Sequence, residues 1–107
     1  MLKETLRDRG FPVIAAQNAF RAMQAVAATL FDVVLLDFEL RDVHGPNMLT
    51  EIHNIRPGVP VIVMTADSNP RTAQSALERG ARACLSKPFA LHELLNEVED
   101  AVGIHNN

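Results

Sequence analysis

Two runs in the chain are apolar at consecutive positions, residues 32–37 (DVVLLD) and 59–65 (VPVIVMT), and they restrict the fold more than any other feature. A strand with one wet face alternates apolar and polar residues. A strand apolar on both faces must be covered on both, which is the environment of a parallel sheet between layers of helices. Parallel neighbours need long crossovers, so the sequence between such runs has to be helical. The punctuation agrees. After a loop ending in Gly45, Pro46 suits the first position of a helix whose Met48, Leu49, Ile52 and Ile55 mark one face, and which stops before Pro57 and Gly58.

The same alternation extends both ways. Leu2 and Leu6 stand four apart among charged residues with Gly10 following, as in the closing turns of an amphipathic helix with a left-handed glycine stop. Residues 11–16 form a short apolar stretch expected to be a strand, and Asn18 is placed to cap an alanine-rich helix over 19–29. Residues 67–70 are turn-rich. Residues 71–79 are expected to be helical with Ala73, Ala76 and Leu77 inward, Gly80 to stop that helix, and 82–86 to be a strand. Lys87, Pro88 and Phe89 break the pattern before Leu91, Leu94, Leu95, Val98 and Val102 define a last amphipathic helix. The expectation is a single α/β domain over residues 1–107, a parallel sheet with helices on both faces.

Composition excludes several functions. The apolar runs fall far short of the about 20 residues a membrane span needs, and no basic segment leading into an apolar one opens the chain. A cytoplasmic protein without membrane contact is expected. A net charge of −3 with neither Trp nor Tyr offers no phosphate-neutralising surface and few stacking platforms, which argues against direct nucleic-acid binding. Cys84 has no disulfide partner and sits in an apolar strand-like segment, the setting of a buried, inert thiol. His44, His53, His92 and His105 include no pair at the short spacing of a local metal site, and Ser68, Ser75 and Ser86 lack a nucleophile elbow. An enzyme is not expected.

In open parallel sheets the ligand site lies beyond the carboxyl ends of the strands, where Asp37, Thr65 and Lys87 all fall. An acid, a hydroxyl and a cation from three strand ends can meet although far apart in sequence.

In their contexts, VVLLDFELRDVHG, PVIVMTA and GARACLSKPF, these residues resemble the receiver domain of two-component response regulators, a CheY-like, flavodoxin-like fold. The likeness runs from Met1 to about Val102. The resemblance implies that Asp37 is the phosphoacceptor, that Thr65 contacts the phosphoryl group and reports it, and that Lys87 pairs with it. It also implies a cis peptide before Pro88, and a sensor histidine kinase or phosphotransfer protein as partner. The residue types suit that chemistry: a carboxylate nucleophile yields an acyl phosphate, and the transfer is mostly positioning and charge stabilisation.

Against the family pattern this chain lacks a first strand and the paired acids that end it and hold magnesium. The metal ligands left by resemblance are the Asp37 side chain and the Glu39 carbonyl, so weakened metal binding and slow phosphotransfer are expected. Arg41 stands where the family has proline, His44 where it often has an acid, and Cys84 where it has an aromatic switch residue. A missing central strand would leave an empty lane with unpaired backbone about 10 Å wide. It could be closed by residues 11–16 moving onto 32–37, filled by a partner chain, or belong to a longer domain; a homo-oligomer is favoured. Two functions follow. One is a phosphoreceiver in a histidine-kinase relay, with its partner face around 71–79 and 91–102. The other is a receiver-derived interaction or dimerisation module that needs no phosphate.

Overall fold

The structure, a computed structural model, describes residues 2–11, 14–40 and 44–103. The elements are α1 (Leu2–Asp8), α2 (Ala19–Ala28), β1 (Val34–Asp37), α3 (Gly45–Ile55), β2 (Val61–Thr65), α4 (Pro70–Glu78), β3 (Ala83–Ser86) and α5 (Leu91–Val102). Among the described residues the sheet is three-stranded, in the order β1-β2-β3 and parallel throughout. No described helix is long and apolar enough to cross a membrane.

Local chemistry explains the boundaries. The Asn18 side chain accepts from the Arg21 N–H at 2.9 Å and starts α2. Pro46 and Pro70 sit in the first turns of α3 and α4, where a missing N–H costs nothing. Helix α4 ends in a Schellman turn: Ala81 N–H reaches the Ala76 carbonyl at 3.0 Å and Gly80 N–H that of Leu77 at 3.1 Å, with Gly80 at φ 103°. Helix α1 closes in the same way on Gly10, at φ 88°.

Alternate residues of each strand serve opposite layers. Val34, Leu36, Val61, Val63 and Cys84 pack with Val26 of α2, with Met48, Leu49 and Ile52 of α3, and with Ala76 of α4. Val33, Leu35, Ile62, Ala83 and Leu85 pack with Leu94 and Val98 of α5. Helices therefore cover both faces, as the doubly apolar runs require. Ile55, Leu77 and Leu91, expected inward, are instead exposed. Each lies at the margin of an apolar stripe whose centre faces the sheet, since short helices on a three-stranded sheet find partners only for the middle of the stripe.

The expected strand at 11–16 is the larger correction. Its described residues, Phe11 and 14–16, have no strand pairing. Phe11, Ile14 and Ala16 lie on the wall of an open, mostly apolar groove of about 750 Å³, which Leu6, Val33 and Leu35 also line. An extended segment becomes a strand by hydrogen-bonding a neighbour, and here the groove separates it from β1. Residues 12 and 13 of that segment, Arg41 to Val43 in the loop after β1, and His105 lie outside the described residues.

Candidate functional site

The parallel register brings the carboxyl ends of the three strands to one edge of the sheet. Asp37 pairs with Met64, Thr65 with Ser86, and the Lys87 N–H extends the ladder to the Thr65 carbonyl at 2.7 Å. The Lys87–Pro88 peptide is cis, as the resemblance implies.

From that edge Lys87 Nζ donates to Asp37 Oδ1 at 2.8 Å, a link between residues fifty positions apart. It also lies 3.1 Å from Glu39 Oε1. Glu39 Oε1 accepts from the Ala66 N–H at 2.8 Å, and Glu39 Oε2 from the Thr65 hydroxyl at 3.1 Å. Thr65, only 2% exposed, also accepts from the Asp67 N–H at 3.1 Å, so its hydroxyl is satisfied as donor and as acceptor. The turn after β1 is held by the Glu39 N–H on Asp37 Oδ1 at 2.9 Å and the Leu40 N–H on the Asp37 carbonyl at 3.1 Å. Those bonds send the Glu39 side chain back over the sheet edge.

The three residues expected to form the site thus stand together, with Thr65 joined to the Asp37–Lys87 pair through Glu39. The role of the Glu39 side chain was not legible in the sequence, where only its carbonyl was in view; an acid two positions beyond a strand-ending aspartate was the available signal. The hydrogen bond that Lys87 donates to Asp37 raises its ammonium above the ordinary lysine range, with desolvation opposing and Glu39 reinforcing the effect. Two carboxylates share one ammonium.

Among the described residues no three His, Cys, Asp or Glu side chains are grouped to hold a metal ion. The Asp37 and Glu39 carboxylates are turned to Lys87 and to backbone and hydroxyl donors. These residues do not fit the hard-oxygen set of a magnesium site. The described histidines stand apart from the cluster: His44 and His92 are exposed, and His53 Nε2 is 3.2 Å from the Val59 carbonyl. Cys84 is half-buried against the larger core cluster, and burial pushes its thiol up.

Comparison with known proteins follows this geometry. The family described as "Response regulator receiver domain" matches residues 1–99. The transcriptional regulatory protein ZraR of Klebsiella oxytoca is 35% identical over 102 residues, covering 95% of this chain and 23% of that protein, so the chain spans under a quarter of that relative. The receiver domain of NtrX from Brucella abortus superposes with a TM-score of 0.87 at 30% identity, over 97% of this chain and 88% of the other. The receiver domain of sensor histidine kinase PA1611 from Pseudomonas aeruginosa, solved with a magnesium ion in its active-site cleft, gives 0.83 at 25% identity, over 95% and 85%.

Proposed function

The chain belongs to the response regulator receiver domain family, and on that premise we propose that it is a cytoplasmic phosphoreceiver, a signalling module rather than an enzyme, with Asp37 as its acceptor. The observation that carries this reading is the meeting of Asp37, Lys87 and, through Glu39, Thr65 at one sheet edge. A carboxylate oxygen of Asp37 attacks the phosphorus of a phosphorylated imidazole on a histidine kinase or phosphotransfer protein. The new bond is O–P; the P–N bond breaks, and its electron pair stays on the imidazole, which takes up a proton. Lys87 and Thr65 meet the phosphoryl oxygens as charge and hydroxyl donors. Helices α4 and α5 flank this edge and form the partner face. Magnesium affinity is weak, because the Asp37 and Glu39 carboxylates are engaged by Lys87 and by backbone and hydroxyl donors, and transfer is slow because one ammonium offsets repulsion between a carboxylate and an incoming dianion only in part.

Incubation with phosphoramidate, followed by intact mass, tests this. The expected result is a slow gain of one phosphoryl group that magnesium changes little and that Asp37→Asn abolishes. No gain after prolonged exposure would remove the phosphoreceiver function, and a rapid, stoichiometric, magnesium-dependent gain would overturn the impairment.

One observation favours a second reading, a module that associates without phosphate. Among the described residues strand β1 pairs with β2 alone, and the groove along its other edge is apolar. The occupant proposed is a second copy, which would also cover Ile14 (61% exposed) and Leu30 (80% exposed) on the groove wall. Light scattering showing a dimer that Asp37→Ala leaves intact supports it; a folded monomer at micromolar concentration rules it out.

A further inference from the structure

We propose that Glu39 is an internal competitor for the phosphoryl position, its carboxylate filling the anion cradle that a phosphate on Asp37 would need. This rests on the phosphoreceiver reading and gives the Glu39 carboxylate a role in transfer that the reading does not assign. The cradle consists of three donors from two strand ends: the Thr65 hydroxyl, the Ala66 N–H and the Lys87 ammonium. All three are engaged by the one carboxylate, at 3.1, 2.8 and 3.1 Å. An ammonium, a hydroxyl and a backbone N–H are the donor types that bind a phosphoryl oxygen.

A surface ion pair alone would mean little, because exposed Lys–Glu pairs are screened by solvent and cost side-chain freedom. Here the buried Thr65 hydroxyl also depends on Glu39 as acceptor, and the turn bonds from Glu39 N–H and Leu40 N–H to Asp37 fix where the side chain starts. Occupancy is therefore built into the strand end. A phosphoryl dianion placed on Asp37 with Glu39 still present would set a charge of −2 and a carboxylate against one ammonium. The incoming group must either expel Glu39 from the cradle or share its donors.

The test compares wild type with Glu39→Gln, Glu39→Ala and Glu39→Asp, using inorganic phosphate as the probe and the amide signals of Thr65 and Ala66 as the readout. Glu39→Asp keeps the charge and loses a methylene of reach, so it separates occupation of the cradle from repulsion at a distance. Expected is phosphate binding about tenfold tighter in Glu39→Ala than in wild type, with Glu39→Gln between them, Glu39→Asp closer to alanine than to wild type, and a displaced Ala66 amide signal in every variant. Equal phosphate affinity in wild type and Glu39→Ala, an unmoved Ala66 amide, or wild-type behaviour of Glu39→Asp would each overturn the proposal. Phosphoramidate is then applied to the same proteins. A faster mass gain in Glu39→Ala supports both readings. Tighter phosphate binding with no gain at Asp37 in any variant leaves Glu39 in its role and removes the phosphoreceiver function instead.

Discussion

Strands β1 and β2 are written in the same alphabet and end up in different surroundings. β2 (VIVMT) has a strand on each edge and all five of its residues are buried; β1 (VLLD) has a strand on one edge, and of its four residues only Leu36 is buried. The Val34 N–H reaches the Pro60 carbonyl at 2.9 Å and the Phe38 N–H that of Met64 at 2.9 Å, so even-numbered amides face β2. By alternation the amides of Val33 and Leu35 point into the groove. A doubly apolar run thus requires two covered faces, whereas the edges are decided by which neighbours are present.

Core truncation breaks or sharpens that comparison most strongly. Ile62→Ala, at a position with no exposure, is expected to cost about 2–5 kcal/mol in denaturant unfolding. Leu35→Ala on the open edge, half-buried, should cost roughly 1–2 kcal/mol. Equal costs would mean that the edge is covered in solution.

The two glycine stops extend the contrast. Gly10 and Gly80 both hold left-handed backbone, but a Cβ on Gly80 would meet the His53 ring at 3.0 Å while one on Gly10 meets nothing within 4 Å. Gly80→Ala is expected to cost about 2–3 kcal/mol and Gly10→Ala about 1 kcal/mol, measured by thermal unfolding. A reversed order would place the crowding in the wrong half of the molecule.

Legibility in the sequence follows the range of the interaction. Asn18, Gly10, Gly80 and Pro46 act on their own chain neighbours, and each does what its type and position indicate. The strand cores 34–37, 61–65 and 83–86 were readable because an apolar run needs no partner to be named, although each observed strand starts one or two residues late. Residues 11–16 read as a strand by composition, and those of them that the structure describes are not paired as one, because pairing belongs to a neighbour that composition does not describe. That Asp37, Thr65 and Lys87 stand at one sheet edge was readable because parallel topology alone gathers strand ends. The contacts of the Glu39 and Arg56 side chains were not, since they depend on where a long side chain turns after the backbone is set.

Arg56 carries the third expectation. Its Nε donates to the Val26 carbonyl at 3.1 Å and its Nη2 to that of Ala27 at 3.0 Å, so the residue after α3 satisfies the open carbonyls of α2. This joins a helix of the grooved half to the packed half. Arg56→Met keeps the aliphatic stem and loses the donors; a loss of about 1–2 kcal/mol is expected, with faster amide exchange in α2 than in α3. Uniform acceleration in both helices would show that the two halves open as one unit.

The smallest effect concerns Lys87, which ties edge strand β1 to β3 across β2. Its folded-state pKa lies above the ordinary lysine value of about 10.4 because it donates to Asp37. A raised pKa in a cation means that the folded state favours the protonated form. The contribution is therefore complete below the ordinary value and is lost as pH rises through the higher folded value. With about a third of the Lys87 side chain exposed, solvent screening holds the contribution under about 1 kcal/mol. Lys87→Met should be less stable than wild type by a constant margin at neutral pH, and the margin should shrink above about pH 10.5. Amide exchange at Val34 and Leu36 should rise more in this variant than exchange at Ile62 and Val63, because among the described residues β1 is paired on one edge only. A margin that stayed constant through that range, or equal acceleration of exchange in both strands, would mean that β1 is anchored by its turn rather than by the cation across the sheet.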